Sequence, residues 1–207
     1  MNLTNNHFSL DLETLGWCDT AIVTSLAITP FNFKADKNVT FDELLDRTYY
    51  AKLEQRSQLL GLKRIVNPDT VAFWKKQSAQ LRGMSVVPAS TDRDLKTVLF
   101  DEIPAFLKSN DYSKYDSYIF ERGMGFDSSK LDTLYRQLGE PESNNRIINY
   151  WRFREIRTMN DILGNVSNGK WEVEGGRPDN FIEHHARHDA AMDALRMIKL
   201  VNVAYSL

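Results

Sequence analysis

Polar and apolar residues alternate from Phe8 to Leu12, with Phe8, Leu10 and Leu12 on one side. A Gly-Trp-Cys-Asp turn at 16–19 then leads into an apolar run from Ala21 to Ile28. The period of two predicts a first strand and the apolar run a second, joined by a short loop. A third strand is predicted at Thr48 to Leu53, where Tyr49 and Tyr50 supply β-favouring side chains after the acidic stretch around Asp42 and Asp46. Three early strands in this order predict a meander.

Beyond Pro68 the period changes. Thr70 to Gln80 reads as a helix, and Asp92 to Lys108 as another, with Leu95, Val98, Leu99 and Ile103 at helical spacing and Pro104 expected to kink it. Ser117 to Phe120 is a short predicted strand. Leu131, Leu134, Tyr135 and Leu138 mark one face of a helix that Gly139 stops, and Ala190, Ala194, Met197, Ile198 and Val201 mark a long last helix starting at or just after His184. The stretch from Glu140 to Asn180 carries the weakest pattern, and within it Glu174 to Asn180 reads as a loop. Strands followed by alternating helix and strand predict an α/β fold with a mixed central sheet flanked by helices, antiparallel at first and parallel later.

Composition narrows the classes of function. At 207 residues the chain fits a single domain over 1–207, and 42% hydrophobic with 26% charged residues excludes disordered, collagenous and disulfide-rich proteins. The 26 basic and 28 acidic residues leave a net charge of -2, which argues against coating nucleic acid through a uniform positive field but allows a locally basic cleft. One cysteine, Cys18, permits neither an intramolecular disulfide nor a thiolate zinc cluster, so a reducing, cytoplasmic setting is expected. No basic segment leads into an apolar stretch at the start, and no apolar run approaches the roughly 18 residues of a membrane span. Neither export nor anchoring is expected.

Four constellations carry candidate chemistry. Asp11 and Glu13, two apart on a strand, point to one face, where their charges repel unless a cation lies between them. Three further acid-x-acid pairs (Asp92/Asp94, Glu140/Glu142, Glu172/Glu174) lack that setting at the end of an apolar strand. Asp127, in Gly-Met-Gly-Phe-Asp at 123–127, starts a helix and also suits an N-cap role. His184-His185-Ala186-Arg187-His188-Asp189 gathers three of the four histidines beside an acid. On one continuous helix His184 and Asp189 stand about 140° apart, so they converge only if His184 lies in the preceding loop. Asp193, one turn on, reads as a surface or salt-bridge residue. Finally, Arg146, Arg152, Arg154 and Arg157 interleave with Tyr150, Trp151 and Phe153, and Lys63, Arg64, Lys75 and Lys76 surround Phe73 and Trp74. Such patches suit single-stranded nucleic acid, but each taken alone reads first as core aromatics with basic neighbours covering them.

In that order, a strand-borne Asp-x-Glu, a later helix-leading Asp and a C-terminal His-x-Ala-x-x-Asp resemble the DEDD (DnaQ-like) superfamily of 3'-to-5' exonucleases, in its histidine branch. Within it, DLETLG at 11–16, DTVAFWKKQS at 69–78, GMGFD at 123–127, YWRFREIRT at 150–158 and HHARHDAAMD at 184–193 resemble the exonuclease A type of T4-like phages. The resemblance implies an RNase H-like fold and a two-metal 3'-to-5' exonuclease releasing nucleoside 5'-monophosphates. Asp11, Glu13, Asp127 and Asp189 would hold two divalent cations, Mg²⁺ or Mn²⁺, with His184 as general base. Thr14 and Leu15 would meet the 3'-terminal nucleotide, with Trp74, Phe126 and Arg157 as further substrate contacts. Single-stranded DNA is the expected substrate, with RNA as the first alternative and an inactive nucleic-acid-binding module as the second. Glu155 stands where the family's run has Asp, and His188 receives no role.

Overall fold

The alternating segment near the start of the chain becomes the middle of a five-stranded sheet. The computed structural model describes residues 3–139 and 148–206. Its strands are β1 (Asn6–Thr14), β2 (Val23–Asn32), β3 (Tyr49–Lys52), β4 (Ile119–Glu121) and β5 (Phe153–Glu155), in spatial order β3-β2-β1-β4-β5. The first three pair antiparallel and β1, β4 and β5 pair parallel, as the sequence predicts for a meander extended by later strands. Its helices are α1 (Phe41–Arg47), α2 (Gln55–Leu60), α3 (Pro68–Lys76), α4 (Ala79–Ser85), α5 (Leu95–Thr97), α6 (Ile103–Ser109), α7 (Phe126–Gln137), α8 (Ile156–Gly164) and α9 (Ala186–Tyr205).

The period of two in β1 sorts its side chains between two cores. Phe8, Leu10 and Leu12 join Leu95, Val98, Leu99, Ile103, Leu107 and Leu134 on one face. On the other, Phe31, Phe33 and Phe120 pack with Met197, Ile198 and Val201 of α9. Ala27 meets Ala186 and Ala190, and these small side chains let the start of α9 lie close against the sheet. β2 is buried along nearly its whole length, which is why its sequence is a run and not an alternation.

Three predictions change in detail. The helix expected over 70–80 is two helices, because the Ser78 side chain accepts the Leu81 N–H and opens α4 as a new N-cap. The helix expected over 92–108 starts only at Leu95, capped by Asp94, and passes through a widened π turn at Val98–Glu102 in which the Ile103 N–H reaches back to the Val98 carbonyl. Pro104 offers no N–H and its ring needs room in the turn before it, and the wide turn stands there. Helix α1 was not expected. It is set by a capping box in which the Thr40 N–H donates to Glu43 at 2.8 Å and the Glu43 N–H donates to the Thr40 hydroxyl at 3.3 Å. Among the described residues no helix is long and apolar enough to cross a membrane. Arg146 and the pair Glu140/Glu142 lie outside the described residues.

Candidate active site

Strand parity places Asp11 and Glu13 on the α9 side of β1, and the first turn of α9 brings Asp189 to them. One carboxylate oxygen from each of Asp11, Glu13 and Asp189 lies within 4.8 Å of the others. They form part of a cleft of about 640 Å³ whose walls also include Phe126, Asp127, Arg157 and His184. All four predicted carboxylates and His184 therefore line one cleft, while Asp127 stands outside the tight group of three. A larger groove of about 940 Å³, lined by Met124, Ser129, Tyr135 and Tyr150 among others, holds none of the predicted site residues.

Asp127 is not the N-cap of its helix. Gly125 occupies that position at φ +86° in a turn where Gly123 and Met124 also have positive φ, a path that side chains with a Cβ resist. Glu121, at the end of β4, supplies the missing acceptor: its carboxylate takes the Ser128 N–H and the Ser128 hydroxyl, both at 2.7 Å. Asp127 is thereby left to face the cleft.

The site is electrostatically strained in the way a cation site is. Burial, followed by the charges of Glu13, Asp189 and Asp127, raises Asp11 well above the usual carboxylate range. Burial and the Asp189 and Asp127 charges do the same to Glu13, and burial with the Glu121 charge does so to Asp127. Asp189 is pushed up to about 7, by burial first and then by Asp193, against the pull of the His184 backbone N–H. Hard carboxylate oxygens gathered so closely fit a divalent cation such as Mg²⁺ or Mn²⁺.

His184 sits in the loop before α9, as its spacing from Asp189 requires, with a left-handed backbone at φ +62°. Such a conformation in a non-glycine residue costs about 1–3 kcal/mol and persists only where the surroundings impose it. Its carbonyl accepts the Ser85 hydroxyl at 3.2 Å, and its ring meets Phe73 edge to face with centroids 5.0 Å apart. The two neighbouring histidines are structural. His185 stacks on Tyr50 at 4.8 Å, and its burial lowers its pKa to about 4. His188 is buried against Phe41, Phe181 and His185.

The other predicted contacts divide. Phe126 and Arg157 line the cleft, whereas Thr14, the last residue of β1, and Leu15 and Trp74 are not among its walls. The Thr14 hydroxyl donates to the Gly16 carbonyl at 2.7 Å, and the buried Trp74 packs on Leu15 and donates its indole N–H to the Thr14 carbonyl at 2.9 Å. In the basic and aromatic patches, Arg152 and Arg154 both lie over the Tyr118 ring, and the buried Arg64 bonds Ala21, Asp19, Thr133 and Gln137. Those three arginines serve the fold. Of the two readings of Asp193 the salt bridge holds: it is buried, and is clamped by Arg122 through both carboxylate oxygens and by Arg196 at 2.9 Å. Glu155, the departure from the family's run, caps α8 by accepting the Arg157 and Thr158 N–H groups and also takes the Gly123 N–H.

Cleft residues without a counterpart in the sequence analysis include Arg122 and Asn168 to Lys170, while Phe73, named there in an aromatic patch, meets the His184 ring. Arg122 had one visible signal, its position two residues after a predicted strand and just before the Gly-Met-Gly turn.

Comparison with known proteins gives the class first. The nuclease domain of 3'hExo, a DEDDh family member bound to rAMP, superposes with a TM-score of 0.54 at 14% identity, over 98% of this chain and 93% of that one. A full-length 3'-exonuclease superposes at 0.58 and 11% identity, over 99% and 84%. At such identities the likeness is one of fold, and the fold is that of the RNase H-like DEDDh exonucleases. The family follows from the sequence: the Rv2179c-like 3'-5' exoribonuclease domain matches residues 6–204, and the chain belongs to that family. The exodeoxyribonuclease of Enterobacteria phage T4 is 30% identical over 213 residues, covering 97% of this chain and 91% of that protein. The chain is a DnaQ-like 3'-to-5' exonuclease close to the T4 type.

Proposed function

We propose that this exonuclease shortens single-stranded DNA from its 3' end, one nucleoside 5'-monophosphate at a time, with two divalent cations held by Asp11, Glu13, Asp127 and Asp189. The observation that carries the reading is the convergence of the Asp11, Glu13 and Asp189 oxygens within 4.8 Å, on a face where their charges otherwise repel. Bound there, the cations supply activation of a water nucleophile and neutralisation of charge on the departing 3'-oxygen. Water adds to the terminal phosphorus, the bond to the 3'-oxygen breaks, and that oxygen takes up a proton. His184, free of the helix and facing the cleft, accepts the proton of the attacking water. Phe126 and Arg157 hold the strand, and Thr14, Leu15 and Trp74 shape the pocket for its last nucleotide. Only an unpaired end fits such a pocket.

DNA is favoured by the name of the T4 relative, an exodeoxyribonuclease at 30% identity. RNA is the second reading, favoured by the family's description as a 3'-5' exoribonuclease domain. Digestion of matched 5'-labelled DNA and RNA oligomers with Mg²⁺, Mn²⁺ or EDTA tests both. A metal-dependent ladder shrinking from the 3' end is expected, faster on DNA. Faster shortening of RNA transfers the assignment to the second reading, and no shortening of either polymer refutes both.

A further inference from the structure

Five cationic side chains line the cleft: Arg122, Arg157, Lys170, Arg177 and Arg196. Three are neutralised. Arg122 and Arg196 pair with Asp193, Arg196 also pairs with Glu172, and Arg177 pairs with Glu183 at 3.0 Å. Arg157 and Lys170 have no ion-pair partner among the described residues, although both are exposed at a cleft whose base is strongly acidic.

Arg157 is also held in place. The loop after α8 turns back through Asn168 and Gly169, at φ +61° and +65°, and brings Gly169 against it. A Cβ on Gly169 would stand 2.5 Å from the Arg157 Cβ and Cγ and 2.8 Å from its Cα, so only glycine allows the loop to press on the arginine stem. The loop is pinned at that residue on both sides: the Gly169 N–H donates to Asp161 at 2.6 Å, and its carbonyl accepts the Asn160 side-chain amide at 3.0 Å. From the other side Glu155 fixes the Arg157 backbone N–H at 3.1 Å. An arginine stem ordered by its surroundings loses less entropy when its guanidinium engages a ligand.

We propose that Arg157, Lys170 and the Asn168–Gly169 turn form a phosphate subsite that grips the sugar–phosphate backbone of the single strand upstream of the bond being cut. This deepens the nuclease reading and rests on it for the identity of the strand. Scissile-phosphate chemistry belongs to the carboxylates and their cations, whereas two uncompensated cations on the wall suit phosphodiesters that stay intact while the 3' end is trimmed. Phosphate contacts are indifferent to the sugar, so DNA and RNA both meet this subsite.

The test is the salt dependence of binding for labelled single-stranded DNA and RNA oligomers, read by fluorescence anisotropy in EDTA and again as KM with Mg²⁺. For the wild type and for Arg157→Gln and Lys170→Gln, the slope of log affinity against log salt is compared. Each substitution is expected to weaken binding several-fold and to reduce the slope by about 0.7, the value for one single-strand phosphate contact. Gly169→Ala, which moves the arginine without removing its charge, is expected to weaken binding comparably and to add little in combination with Arg157→Gln. If Gly169→Ala does not fold by thermal melting, the two charge variants carry the test. Slopes unchanged in both readouts overturn the subsite. A wild type that cuts neither polymer while its variants still lose slope overturns the nuclease reading and leaves the subsite standing.

Discussion

The Nδ1 atom of His188 accepts the backbone N–H of Ile182 at 3.3 Å, tying the first turn of α9 to the loop that carries His184. His188→Phe keeps the aromatic packing but orphans that N–H, at a cost of about 1–3 kcal/mol. His188→Asn keeps an acceptor near the same place and loses ring contacts instead. If the bond positions His184, the phenylalanine variant loses kcat by about tenfold or more while the asparagine variant retains it despite a lower Tm. Equal kcat in the two variants would limit His188 to packing.

Substitution of His184 by Ala is expected to lower kcat by about 10²–10⁴, the range for a positioned proton acceptor, with Mn²⁺ affinity kept in a calorimetric titration. Loss of Mn²⁺ binding together with activity would make His184 a ligand.

The carboxylate cluster has a definite pH signature. Asp189 rises from its ordinary 3.8 to about 7, and Asp11 and Glu13 are also raised, so across that window the folded chain holds protons that the unfolded chain has released. Stability of the metal-free protein is expected to fall as pH rises through this range, with the penalty absent below the unfolded values and complete above the folded ones. Mn²⁺ is therefore expected to raise Tm more at pH 8 than at pH 5. Asp11→Asn, which removes one of the repelling charges, is expected to raise the metal-free Tm at pH 8, by about 2–4 °C per kcal/mol gained, while abolishing hydrolysis. A Tm gain from Mn²⁺ that does not vary with pH would contradict this account.

Asp193 gives the largest stability prediction. Its removal leaves Arg122 and Arg196 without their shared carboxylate in a buried setting. Asp193→Ala is expected to cost about 3–5 kcal/mol in urea unfolding, with Asp193→Asn milder because hydrogen bonding to the arginines survives. A cost below about 1 kcal/mol would show that water takes over the pairing.

Much of the sheet was legible because its logic is local. The alternation of Phe8, Leu10 and Leu12 set β1, the run to Ile28 set β2, and the same parity put Asp11 beside Glu13. Asp189 was legible through the order of motifs, and His184 through the angle that separates it from Asp189 on a helix. What stayed hidden depends on contacts between distant segments. Short β5 exists because Ile119 and Phe120 pair with Phe153 and Arg154, and three residues are too few to show a period. Glu155 reads as a variant acid in a motif until its carboxylate is seen collecting N–H groups from α8 and from Gly123. Arg152 and Arg154 fit the packing reading of their patch, but a sequence does not reveal that Tyr118 is the ring both guanidinium groups cover. The bond of Trp74 to Thr14, with Phe73 against the His184 ring, turns on one residue of helical phase, finer than the pattern in 69–78 defines.

The pairing of β1 with α9 also bears on how the chain behaves while it is being made. Asp11 and Glu13 belong to the early β1–β2 hairpin, whereas Asp189 and the loop holding His184 are synthesised much later. On the proposed assignment a nascent chain has the residues of its early sheet long before it has the full set of carboxylates, and chains that stop short of α9 are expected to be silent as nucleases. The proposed activity of a polypeptide that could attack nucleic acid in its own surroundings thus waits on the packing of α9 against the sheet.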